Sequence, residues 1–240
     1  MSASKWHRLW QLAMLHGVEA EAWEGVKVLQ GQFFMQLTDR LWAQWEQSAM
    51  TARHSRRQPP RPANGRLEKK LRRMEERDDV AQPVCSVLRA ATVLAQCLLT
   101  ADRWVRQLLM LGLVIQREGD RVDSDTLEEW TAQLNMGSML QLECILLAEL
   151  LDVSEEKMPV AITASEKQRQ DMVEEVVETI ATTRHQWQLS QGNRIFVHAS
   201  SSKDMLWQAR HSARFLKYYP AESISMVFNS FLQSLTNIEE

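Results

Sequence analysis

Apolar residues recur along this chain at three- and four-residue steps, the period of a helix with one buried face. Trp6, Leu9, Trp10, Ala13 and Met14 keep that spacing over residues 4–15, and Gly17 closes the segment. Trp23, Val26, Leu29, Phe33, Leu37, Leu41 and Trp45 continue on one stripe. They predict a single long helix over about residues 19–50, with Gly31 as the candidate bend. Residues 51–66, TARHSRRQPPRPANGR, lose the period, and their prolines with Asn64–Gly65 predict a loop or linker.

Downstream, Pro83 suits a first helical turn. Asp125 with Glu128 has capping-box spacing ahead of a short helix, Thr126–Leu134. Asn135–Met136–Gly137 breaks it, and Ser138 is placed to cap the next helix. That helix, MLQLECILLAELL, is apolar nearly all round, which predicts a buried central element. Residues 152–164 form a connection, and Ser165 caps a helix reaching about His185. Gln191–Gly192–Asn193, between WQLS and RIFVHA, reads as a short hairpin. A helix over Asp204–Tyr218 is expected to stop at Pro220, and Glu222–Leu235 closes with a clean amphipathic face. No internal repeat of fixed period is present.

The stretch between Pro83 and Asp125 has a more specific pattern. Leu94, Ala95 and Leu98 share a face, Leu99–Thr100–Ala101 interrupts the run, and Val105, Leu108, Leu109 and Leu111 make a second apolar face. A small residue such as Ala95 admits a closely crossing helix. Val105, ten positions on, and Leu108, three further, would fill the angle between the two. Leu111–Gly112 reads as a helix end, Leu113–Val114–Ile115 as a strand, and Gly119–Asp120 as a turn between short strands. Residues 88–123 therefore resemble a winged helix-turn-helix, with Leu99 standing where that turn usually has glycine. The resemblance implies that the second helix enters the major groove and turns Arg103, Arg106 and Gln107 toward DNA. Arg117 and Arg121 on the wing would reach phosphate. Asp102 and Met110 share the outward side and do not suit DNA. Winged helices also act as protein-docking blocks, so the resemblance leaves both partners open.

Charge adds a second feature. Over Arg53–Arg77 ten bases face three acids, a local charge of +7, which leaves −10 on the rest of a chain whose net charge is −3. Arg53, Arg56, Arg57, Arg61, Arg66, Lys69, Lys70, Arg72 and Arg73 form a basic arm suited to clamping phosphates with strong salt dependence. A solvated loop leading into a charged helix start explains the same residues. Few glycines and prolines argue for helices over a many-turned β fold. The expectation is a mainly α fold, a multi-helix domain with a central winged-helix-like unit and one or two short β-hairpins. Its regions would be a Trp-rich helical part (1–50), the basic flexible arm (51–82), the winged-helix-like unit (83–135) and a C-terminal helical part (136–240).

Catalytic patterns are missing. No His pair has metal-ligand spacing, and there is no nucleophile elbow, P-loop or dinucleotide fingerprint. Ser200–Ser202 near His198 read as a helix cap, and the acids Asp123, Asp125, Glu128 and Glu129 as a helix start. Neither catalytic residues, nor a metal, nor a cofactor is expected. Cys85, Cys97 and Cys144 are widely spaced and suit free buried thiols in a reducing compartment. The N-terminus has no signal-type apolar core, and no run reaches eighteen apolar residues, so a cytoplasmic protein without a membrane span is expected. Two functions stand: a non-enzymatic nucleic-acid-associated protein, or a helical adaptor whose partner surface uses exposed tryptophans. The expected partners are DNA or another nucleic acid, a protein, or a second copy of the chain.

Overall fold

The computed structural model describes residues 2–32, 37–54, 60–76, 82–190 and 201–236. Among them are eleven α-helices and no strand: α1 Ala3–His16, α2 Glu19–Gln32, α3 Asp39–His54, α4 Gly65–Glu75, α5 Gln82–Thr100, α6 Trp104–Glu118, α7 Ser124–Gln133, α8 Gly137–Leu151, α9 Glu166–Ser190, α10 Ser201–Arg214 and α11 Pro220–Thr236. The mainly α expectation holds. The chain forms two compact units, one of Met1–Pro59 with Asp102–Arg106, the other of Pro60–Ala101 with Gln107–Glu240.

In the first unit, Trp6, Trp23, Val26, Leu41, Trp45 and Ala49 converge on one core. The stretch expected to make one long helix contains instead two, α2 and α3, which pack on each other; Leu37 precedes α3, and Phe33 lies outside the described residues. Trp23 and Trp45 show why. Their ring centroids lie 6.1 Å apart, whereas twenty-two residues of straight helix would separate them by about 33 Å. At the end of α1, Gly17 adopts φ +65°, and the N–H groups of Gly17 and Val18 take the carbonyls of Met14 and Ala13. This left-handed cap is what the sequence indicated.

In the second unit, α8 is the hub. Met139, Leu140, Leu142, Cys144 and Ile145–Leu147 are all fully buried. One further residue, Glu143, is buried on the same helix, and neither of its oxygens has a hydrogen-bond partner. Helix α5 packs against α4, α8 and α10. It is long and apolar enough to cross a membrane by length and composition, but 78% of its most apolar window is buried inside the fold. The α7 cap is Asp123, whose carboxylate accepts from Thr126 N–H, two residues ahead of the expected Asp125. Pro220 does not end a helix but begins α11, where its missing N–H costs nothing. Ser165 caps α9 together with Gln168, which accepts from Ser165 N–H.

The wing hairpin is corrected. Leu113–Ile115 are not a strand; α6 runs on to Glu118, and Gly119–Arg121 form a short 3-10 turn. The apolar period decides this, because Leu108, Leu111 and Ile115 are all buried at i, i+3 and i+7. Gly112 is not a helix cap but a close-packing site. A Cβ there would lie 3.2 Å from Leu147 Cδ2. Leu99 also lies inside a helix, so the interruption comes later, at Ala101 and Arg103, with φ of 55° and 47°. Helices α5 and α6 follow one another in the chain, and no strand accompanies them among the described residues. Of the second expected hairpin, residues 187–190 belong to α9, and its turn at 191–193 lies outside the described residues.

Candidate nucleic-acid interface

Helix α4 lies within the stretch expected to be a flexible basic arm, and its sequence explains the difference. Asn64 caps it by accepting from Arg66 N–H at 3.0 Å, so Asn64–Gly65 starts a helix rather than excluding one. Leu67, Leu71 and Met74, at i, i+4 and i+7, are buried. Its start is tied down from far along the chain. The Glu222 carboxylate accepts from the backbone N–H groups of Ala63 and Asn64 and from Gln96 Nε2. Asn229 Nδ2 donates to the Ala63 carbonyl at 3.1 Å.

Its charges sort themselves onto separate faces. Glu68 and Glu75 turn toward α5, where Arg89 takes both. Its Nε and Nη2 make a two-pronged bond to Glu75 at 2.8 and 2.7 Å, and Nη1 reaches Glu68 at 3.0 Å. Glu76 is held by Arg72 at 2.9 Å. Glu68 and Glu75 are thus neutralised away from a third face, where Arg66, Lys69, Lys70 and Arg73 stand at i, i+3, i+4 and i+7, all exposed. Lys70 Nζ donates to the carbonyl of Gln133 at the end of α7. Arg66, Lys69 and Arg73 have no ion-pair partner among the described residues. From Arg66 to Arg73 the stripe is about 10.5 Å long, the rise of roughly three nucleotides on one strand of a duplex.

The remaining expected site residues are placed as follows. Arg61 is exposed just ahead of α4. Arg53 falls near the end of α3, with its side chain outside the described residues, as are Arg56 and Arg57 entirely. Arg117 and Arg121 are exposed and share Glu118 as partner, at 3.6 and 3.0 Å. Gln107 is half-buried. Arg103 and Arg106 belong to the first unit and point along the end of α1: Arg106 Nη1 donates to the Gly17 carbonyl at 2.9 Å. Sequence reasoning placed these two outward because it counted Arg103 as helical. In the structure α6 starts at Trp104, and Arg103 precedes it in a left-handed conformation.

Two histidines elsewhere are buried. Burial lowers the imidazole pKa of His16, against the smaller opposing charge of Asp102. It also lowers that of His211, whose Nε2 donates to the Leu98 carbonyl at 2.7 Å. Among the described residues no three His, Cys, Asp or Glu side chains gather into a group that could hold a metal. No family model matches this sequence, and comparison with curated proteins and with solved structures finds no match either.

Proposed function

We propose that this chain is a non-enzymatic nucleic-acid-associated protein that grips the phosphate backbone with the exposed face of α4. The observation that carries the reading is the segregation of charge on that helix. Every glutamate of α4 and its C-terminal cap is paired off, so Arg66, Lys69 and Arg73 present uncompensated cations in a row. Such contacts position a protein on a strand without reading its sequence. Arg61, Arg117 and Arg121 are further exposed cations of the same unit. Contact by Gln107 is not part of the proposal, because its side chain is half-buried.

A salt series tests it. Binding of a labelled duplex is followed by anisotropy between about 50 and about 200 mM salt. With three or four phosphates neutralised, log K should fall against log salt with a slope of about −2.7 to −3.6. The triple variant Arg66→Glu/Lys69→Glu/Arg73→Glu should abolish binding while its circular dichroism is unchanged. No binding at the lowest salt, or binding that the variant retains, overturns the proposal.

A second reading, the helical adaptor, has one observation in its favour. On α11, Ile224 and Phe228 stand one turn apart and are 60% and 58% exposed, an apolar stripe of the kind that partner helices cover. Of the tryptophans, Trp6, Trp23, Trp45 and Trp104 are core residues, while Trp10, Trp42, Trp130 and Trp207 are half-buried. Phe228→Glu separates the readings, since it should leave nucleic-acid affinity unchanged and remove only a protein contact.

A further inference from the structure

The first unit contains a cleft of about 420 Å³, within the size range of small-molecule sites. One wall is α1, which contributes Trp10 and Met14; the other is a polar row on α3, with Gln44, Gln47, Ser48 and Thr51 at helical spacing. The indole of Trp10 is fixed, its Nε1 donating to Ser48 Oγ at 3.3 Å, while the Ser48 hydroxyl donates to the Gln44 carbonyl at 2.8 Å.

Arg103 and Arg106 close one end, beside Gly17 and Glu19. Their placement depends on unusual backbone. Arg103 itself is left-handed, which is costly for a residue with a side chain and tends to be kept at functional sites. Both stems lie over the end of α1: a Cβ on Gly17 would be in ordinary contact with them, 3.4 Å from Arg103 Cδ and 3.7 Å from Arg106 Cδ. The negative end of that helix favours the two cations. Arg106 spends one N–H on the Gly17 carbonyl, and the nearest carboxylate to Arg103 Nε is Asp102 at 3.8 Å. The other N–H groups of both forks have no acceptor among the described residues. Glu19 lines the same end with a buried Oε2 that has no hydrogen-bond partner.

The cleft therefore offers unused donors for an anion, a fixed aromatic wall and an unused acceptor. We propose that it binds a nucleoside monophosphate moiety. The phosphate lies on the forks of Arg103 and Arg106, whose planar geometry suits phosphate oxygens. The base lies along Trp10 and Met14, since base–aromatic stacking tolerates any base. A sugar hydroxyl or an exocyclic amine donates to Glu19. The moiety arrives either as a free nucleotide or as an unstacked nucleotide of a single strand. The inference stands on the first unit alone and does not need the α4 face to bind nucleic acid.

The test is calorimetric titration of the full chain with AMP, with adenosine and with inorganic phosphate. AMP should bind saturably, and each of the other two at least about tenfold more weakly, because each lacks one half of the recognition. Arg103→Gln should weaken AMP by about 10- to 100-fold, the loss of charge-assisted bonds. The Arg103 side chain makes no hydrogen bond to the rest of the fold, so the thermal melt of the variant should be unchanged. Thr51→Trp, on the exposed side of α3, should block the cleft without touching the arginines. The triple α4 variant should bind AMP like the wild type, which separates this inference from the proposed function. Competition of AMP by an oligo(dA) strand assigns the site to a strand, and lack of competition assigns it to the free nucleotide. Absence of saturable AMP binding at millimolar concentration, or undiminished binding in Arg103→Gln and Thr51→Trp, overturns the proposal.

Discussion

Replacing Glu143 by methionine should make the protein more stable at neutral pH. The side chain is fully buried on the hub helix, and neither carboxylate oxygen has a partner. A buried polar group left unsatisfied costs about 1–3 kcal/mol, and exchanging buried ionic groups for apolar ones of similar volume gains up to about 4 kcal/mol. Methionine fits the volume and adapts its shape, so the expected gain is about 1–3 kcal/mol. Burial pushes the Glu143 carboxyl well above its ordinary value of 4.5. The folded protein thus keeps a proton that the unfolded chain releases. What this group contributes to stability is therefore complete below 4.5 and is lost as pH rises through the folded value. Urea unfolding at about pH 5 and about pH 8 should show the methionine variant gaining more at the higher pH. Glu143→Gln is the control: it removes the titration but keeps polar atoms without partners, and should flatten the pH dependence with a smaller gain. The Cys144 thiol gives a second readout. It is pushed up to about 12, by burial first and the Glu143 charge second, and should titrate lower in the methionine variant. A methionine variant less stable than wild type at both pH values would refute the reasoning and show that the carboxyl makes favourable contacts.

Three further outcomes are expected. Arg89→Met should cost about 1 kcal/mol, discounted because all three charged groups are about one-third exposed. It should also weaken duplex binding in the salt series, because Glu68 and Glu75 then act on the α4 face unopposed. Gly17→Ala should destabilise by about 1–2 kcal/mol, the cost of a side chain in left-handed backbone, measured as a shift in the urea midpoint. In NMR titration, the imidazoles of His16 and His211 should titrate below 6.5, since burial disfavours their charged forms. Their neutral states favour folding above 6.5, and that contribution is lost as pH falls through the lowered values.

Local signals in the sequence were legible where one physical cause dominated. Gly17 marked the end of α1 because only a left-handed cap closes a helix there, and the unbroken apolar run of α8 marked a buried hub. Errors arose where a residue had two roles. Gly112 looked like a breaker, yet the i, i+3, i+7 burial of Leu108, Leu111 and Ile115 outweighed it and kept α6 helical up to Gly119. Pro220 looked like a stop because it follows one helix, though it starts the next. The charges over 53–77 hid α4: its three apolar contacts are spaced among seven ionisable side chains, and the role of Arg89 as the partner of two of them is a tertiary fact. The cleft was illegible for the same reason. It combines residues of α1, α3, the start of α2, and the start of α6 with the turn before it, segments with no shared pattern in sequence.

The Glu222 clasp has a consequence for how the chain is made. Asn64 and Glu222 are 158 residues apart, so the start of α4 must wait for its anchor through most of synthesis. At about 5–20 residues per second that interval is roughly 8–30 s. During it, the backbone donors at Ala63 and Asn64 and the side-chain amide of Gln96 remain without the carboxylate that joins them. The basic face of α4 is thus a late feature of the nascent protein, put in place by the emergence of α11. A ribosome-stalled chain halted before residue 222 should present this stretch to proteases that the finished protein resists.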